Sequence, residues 1–235
     1  RRILNPMGTT DAIEFLLWGQ DESTTGPGAR PYTDYVTGGS GTASNQDRRG
    51  EYLVLVTDIL VSALDQVRTE WDPNVSGNYR ATWLAMENDL ALRKMFNSIR
   101  VMSGFELSGE RMITAHDNMD QEDEHSCFSD NTHRDIITNA QGIENLFLGT
   151  YTRTNSTVVS GYSLRDLCNL VDPTNTTAME AQLADAKVKC DDIYIPFDQA
   201  IILTAERPKV LDAANTLIAE ETLILSLAGA FDINF

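Results

Sequence analysis

The sequence predicts an all-α helical bundle, and three observations carry that prediction. Apolar residues recur at helical spacing through most of the 235 residues. Residues that start and stop helices (Ser, Asn, Asp, Pro and Gly) fall between those segments. No convincing run of alternating apolar and polar residues reads as strands.

The elements follow in order. The stretch AIEFLLWG, residues 12–19, is apolar almost all round, which predicts a buried helix. A Gly/Pro/Thr-rich loop runs from Asp21 to about Ser44 with GPGARPYTDYVTGGSG at its centre. Its length predicts a loop that is functional or docked on the body. Asn45 is placed to cap a helix reaching about Trp71, with Leu53, Val56, Leu60, Ala63 and Val67 on one stripe. DPNVSG breaks it, and a helix is expected from about Tyr79 to Ile99. The glycines of SGFELSGERM suggest a bend or a helix-to-helix corner. Further helices are expected over Ile136–Tyr151, from a Ser163 cap to Val171, over Thr177–Cys190, and from Pro208 to near Ala230. The domain division expected is 1–44, a motif helix and long loop packing on the bundle, and 45–235, the helical-bundle domain.

Composition excludes several functions. Thirty-five acidic against eighteen basic residues give a net charge of −17, with no basic stripe, which rejects nucleic acid as a partner. The apolar runs 12–18 and 222–230 are too short for a bilayer span, and the first residues lack a signal-peptide layout. Cys127, Cys168 and Cys190 form neither a CxxC pair nor a zinc ribbon; Cys168 and Cys190 are either buried thiols or a bridge between adjoining helices. The sequons at Asn74, Asn155 and Asn175 matter only in a eukaryotic secretory setting.

The stretch QEDEHSCFSDNTHRD, residues 121–135, holds two of the chain's three histidines. Glu122 and His125 stand three apart, as do Asp130 and His133. On a helix that spacing leaves about 60° of rotation, so each pair can reach one ligand. Carboxylate and imidazole together suit iron or zinc. On one unbroken helix the two histidines would diverge by roughly 80°, so a shared ion needs a break near Ser129, Asp130 and Asn131. The alternatives are a polar helix end with Asp130 or Asn131 as a cap, a metal or anion site, and a catalytic constellation. His116 could join only through a turn.

A second candidate is DAIEFLLWG. Asp11 and Glu14 lie one turn apart, and Glu14 is set between Ile13 and Phe15. A carboxylate in so apolar a helix either faces solvent from an edge or meets a cation. Arg1, Arg2, Arg30, Arg111 and a metal are the candidates.

AIEFLLWGQD, GPGARPYTDY, NQDRRGEYL, SGFELSGERM and QEDEHSCFSDNTHRDI with TNAQGI resemble the imelysin-like proteins, in particular the branch called iron-regulated protein A. The resemblance runs in order over residues 11–205 and ends in PFDQAI. It implies two helical bundles related by duplication, of which this chain looks like the second half. It also implies an exported bacterial envelope protein, periplasmic or at the cell surface and often a lipoprotein, associated with iron acquisition. An envelope protein or the family's N-terminal domain would then be a partner. The family signature is G-x-H-x-x-E; aligned on Glu14, its histidine falls at Asp11 and its glycine at Thr9. Asp11 is itself an oxygen ligand for a hard cation.

The functional expectation is a protein that binds iron, with zinc or calcium as alternatives, or an iron compound. Asp11, Glu14, Glu122, His125, Asp130 and His133 are the metal-ligand candidates, and Arg111 is a partner for an anion or cofactor. The competing reading is a structural or surface-assembly protein with a decayed site. A metallopeptidase is a third, but the chain holds no HExxH helix to carry a zinc centre and its base.

Overall fold

The computed structural model describes residues 7–235, Met7 by its backbone alone. It is predominantly helical, as expected, and divides into two compact units. The first comprises the described residues up to Met86 together with Ser126–Asp130; the second comprises Glu87–His125 and Asn131–Phe235. The long helix that begins near residue 45 lies in the first unit. Five residues of the histidine-bearing stretch also belong to the first unit.

In the first unit, helix α1 spans Met7–Trp18 and α2 spans Gln46–Trp71. The short α3 spans Tyr79–Leu84 and is capped by Asn78, whose side chain accepts from the Ala81 N–H. The aromatic rings of Trp71, Tyr79 and Trp83 cluster where α2 meets α3. The loop between α1 and α2 is tied down at many points, as its length predicts. Arg30 N–H donates to the Trp18 carbonyl at 2.8 Å, and the Tyr35 hydroxyl donates to the Leu16 carbonyl at 2.5 Å. Arg49 reaches back to the Asp34 carbonyl at 2.5 Å. Gly28 is required where it stands: a Cβ there would lie 2.6 Å from the Trp18 carbonyl oxygen. Helix α1 is less enclosed than its sequence suggests. Leu16 is buried, whereas Phe15 and Leu17 remain 40% and 46% exposed. Asn45 does occupy the cap position of α2, but in the left-handed region and without a side-chain capping bond.

The second unit holds one continuous core running through Phe96, Leu107, Ile136, Phe147, Met179, Phe197 and Leu217. Helix α4, Asn88–Arg100, follows α3 after a break, so the single helix expected over 79–99 is two. The bend expected in SGFELSGERM is absent: Val101–Ile113 continues α4 as a π-helix and passes into α5, Thr114–Asn118. Its buried residues Ser103, Leu107, Ser108 and Met112 pair at five-residue spacing, which the i→i+5 bonding of a π-helix places on one face. Helix α6 covers Thr132–Leu148 and ends on Gly149, whose positive φ a non-glycine would hold under strain. Strands β1, Thr150–Thr152, and β2, Val158–Ser160, form a small antiparallel hairpin where the sequence predicts no strand. Three residues are too few to show a period. Helix α7, Leu164–Val171, opens with the expected Ser163 cap, in a full capping box with Asp166. Helices α8, Pro173–Asp191, α9, Phe197–Ile202, and α10, Arg207–Gly229, complete the unit. Helix α10 packs along the π-helix and α8.

Candidate functional site

The first candidate lies within the first unit, where α1 meets the segment Ser126–Asp130. Ser129 donates its backbone N–H to Glu14 Oε1 at 3.2 Å, and its hydroxyl bonds the same oxygen. One helical step on, Phe15 stacks edge-to-face on Phe128 with ring centroids 5.1 Å apart. The Arg30 guanidinium covers the other side of Phe15 at 5.1 Å, donates to the Phe15 carbonyl and pairs with Asp34 at 3.1 Å. Gly28 N–H donates to the Phe128 carbonyl at 3.0 Å, so the loop and the segment are joined as well. Beside this junction a polar cavity of about 400 Å³ is lined by Trp18, Asp21, Glu22, Gly28, Arg30 and Asp34. Asp21 is buried and accepts from the Ser23 N–H at 2.9 Å.

Glu14 therefore meets Ser129, a residue the sequence marks only as part of a possible helix break. Of the cations proposed for it, Arg30 is engaged with Asp34, and Arg111, in the second unit, stands 3.7 Å from Glu106. Arg1 and Arg2 lie outside the described residues. Asp11 stands one turn before Glu14 on α1, and Asp130 is buried with a positive φ.

The second unit carries the remaining candidates. Glu122 belongs to a 3-10 turn, Gln121–Asp123, its N–H bonded to Asp120 Oδ1 at 3.0 Å. His125 follows in irregular chain, so it does not share a helical face with Glu122. Its Nδ1 instead faces Asp135 Oδ2 on α6 at 3.2 Å, a partner ten residues away that helical spacing could not reveal. Asp130 likewise precedes α6, and the Asp130/His133 pair is not a helical pair. His133 lies in the first turn of α6 with a buried Nδ1 that has no hydrogen-bond partner among the described residues. His116 is buried on α5, its Nδ1 2.9 Å from Asp117.

Six candidate ligands are thus distributed over both units: Asp11, Glu14 and Asp130 in one, Glu122, His125 and His133 in the other. Among the described residues, no group of three or more His, Cys, Asp or Glu side chains is arranged to hold a metal ion. The three cysteines are free thiols, Cys168 and Cys190 buried.

The imelysin family model (Peptidase_M75: Imelysin) matches residues 7–224. The chain belongs to the imelysin family. No curated protein matches this imelysin-family chain at a significant level. Among solved structures it resembles one described as an iron-regulated protein A precursor from Parabacteroides distasonis, with a TM-score of 0.65 and 18% identity. The match covers 92% of the imelysin-family chain and 62% of that neighbour, so the chain spans less than two thirds of the neighbour's length. At that identity the likeness speaks to the fold, and the all-α prediction holds. No helix among the described residues is long and apolar enough to cross a membrane.

Proposed function

We propose that this chain is an exported protein of the bacterial cell envelope, periplasmic or at the cell surface, with a binding role in iron acquisition. Family membership supports the reading, as does the fold shared with a protein described as an iron-regulated precursor. The net charge of −17 favours the approach of cations. The site rests on one observation above all: Glu14, the residue aligned with the signature glutamate, is held in place by Ser129 of the histidine-bearing stretch. Next to it, Arg30, Asp21 and Asp34 line a cavity of small-molecule size.

The residues do not fit a self-contained metal centre, because no three donors converge among those described. That favours cargo bringing its own donors, an iron compound, with the protein supplying charged and polar contacts. Glu14 in the first unit and His125 in the second are separate contact points to test.

The test is metal content of the purified chain, as isolated and after loading with ferrous ion or ferric citrate, beside Glu14→Ala and His125→Ala. Near-stoichiometric iron that falls in either variant supports the reading. No iron in any form, with folding unchanged, overturns it.

One observation favours a second reading, that of an assembly protein. Helix α2 leaves Val54, Leu55, Val61 and Leu64 exposed by 61%, 56%, 58% and 61%. Contiguous exposed apolar residues mark association surfaces. Light scattering that finds a stoichiometric larger particle without metal would favour it.

A further inference from the structure

Glu220 lies on the inward face of α10, deep in the second unit. It is 1% exposed, and its Oε1 is buried without a hydrogen-bond partner. A buried carboxylate left so is costly, and the usual escape is to bind a proton. The neighbouring groups favour that escape. Ser103, fully buried on the π-helix, faces the carboxyl, and its hydroxyl already donates to the Leu217 carbonyl at 2.8 Å. A hydroxyl has one proton to give, so whatever Ser103 lends a carboxylate is shared with the Leu217 carbonyl, and the charge is only weakly supported.

No cation pairs with Glu220 among the described residues. On α6, Glu144 adds negative charge and is itself bound by Lys187 at 2.8 Å and Gln141 at 2.6 Å. On α8, Lys189 is held by Asp185 and Asp212, and the Cys190 thiol is pushed up to about 12 by burial, with the charges of Glu220 and Asp191 adding. On α4, Arg100 is bound to Glu221 at 2.8 Å. The π-helix pairs its own Arg111 and Glu106. His116 on α5 and Asp198 on α9 are buried, and Arg207 at the start of α10 bonds the carbonyls of His116 and Ile201 on those two helices. Thirteen residues separate Arg207 from Glu220, about 20 Å along the helix.

We propose that Glu220 is a proton-binding group that makes the packing of α10 on the π-helix depend on pH. With the proton on, the carboxyl is neutral and the contact is closed. With the proton off, a bare charge stands in the core and the contact loosens. Burial, opposed by Ser103 and reinforced by Glu144, pushes the Glu220 pKa up to about 7. The folded value lies above the ordinary 4.5 of the unfolded chain. The contribution to stability is therefore full below that ordinary value and is lost as pH rises through the folded one.

The experiment is thermal unfolding of the wild type, Glu220→Gln and Ser103→Ala between about pH 5 and 8.5. The wild type should lose roughly 5–10 °C of Tm relative to Glu220→Gln over that range. Ser103→Ala should carry the transition to higher pH, because Ser103 opposes the raised pKa. A wild-type-to-Glu220→Gln difference that stays constant with pH overturns the proposal. Should Glu220→Gln fail to fold, infrared spectroscopy of the wild type decides. A protonated-carboxyl band present near pH 6, where exposed carboxylates have ionised, and fading by about pH 8.5 supports it. No such band at the lower pH overturns it.

Discussion

Ser129 directs both of its donors, backbone and hydroxyl, at one oxygen of Glu14, 115 residues earlier in the chain. Hydrogen bonds to a charged acceptor contribute about 1.5–3 kcal/mol each when partly buried. Ser129→Ala removes one of the two. Denaturant unfolding of the variant should show a loss of roughly 1.5–3 kcal/mol, with the midpoint shifted and the slope unchanged. A midpoint equal to that of the wild type would show that the hydroxyl contributes nothing.

The start of α7 gives a second expectation. Ser163 accepts from Asp166 N–H at 3.1 Å, and Asp166 accepts from Ser163 N–H at 3.1 Å. Ser163→Ala should cost about 1 kcal/mol. The Ser163 hydroxyl and N–H hold the Asp166 carboxyl below its ordinary range, with Arg165 assisting. Its folded pKa is depressed, so its contribution is present above the ordinary carboxylate range and is lost on acidification below it. NMR titration of the Asp166 carboxyl should place its midpoint below that of an unstructured aspartate, and Ser163→Ala should bring it back up.

Gly104 supplies a third. A methyl group there would fall on the Glu221 carboxylate and stand 3.0 Å from the Glu221 Cβ, while Glu221 is held by Arg100. Gly104→Ala must therefore displace that ion pair. A loss of about 1–3 kcal/mol is expected, most of it recovered in the double variant with Glu221→Ala. A double-mutant cycle with zero coupling would refute the steric account.

The thiols supply a fourth. Burial, with Asp172 adding, pushes Cys168 up to about 12, and Cys190 rises to about 12 as well. The thiolate is the reactive form, so a thiol reagent should modify at most Cys127 in the native chain. All three should react after denaturation. Prompt native reaction of two or more would place a buried cysteine within reach of solvent.

Much of the fold was legible because its signals are local. Ser163 with Asp166 three residues on, and Pro208 in the first turn of α10, announce helices whatever surrounds them. The π-helix was not read, because two glycines in SGFELSGERM suggest a bend to any reading based on 3.6 residues per turn. The five-residue spacing of Ser103 with Ser108, and of Leu107 with Met112, was the available signal. The candidate site was legible in composition and not in geometry. Spacing drew Glu122 toward His125, whereas the chain leaves the helix there and turns His125 to Asp135. The Glu14–Ser129 bond joins elements far apart in sequence, and no local pattern encodes it.

The placement of Ser126–Asp130 in the first unit bears on how the protein is made. Synthesis proceeds at about 5–20 residues per second, so Ser129 leaves the ribosome some ten seconds after Glu14, by order of magnitude. Through that interval α1 and its loop lack Ser129 and Phe128, and the Phe15 ring on the nascent chain lacks its aromatic partner. The first unit is therefore completed only by a segment made after the second has begun.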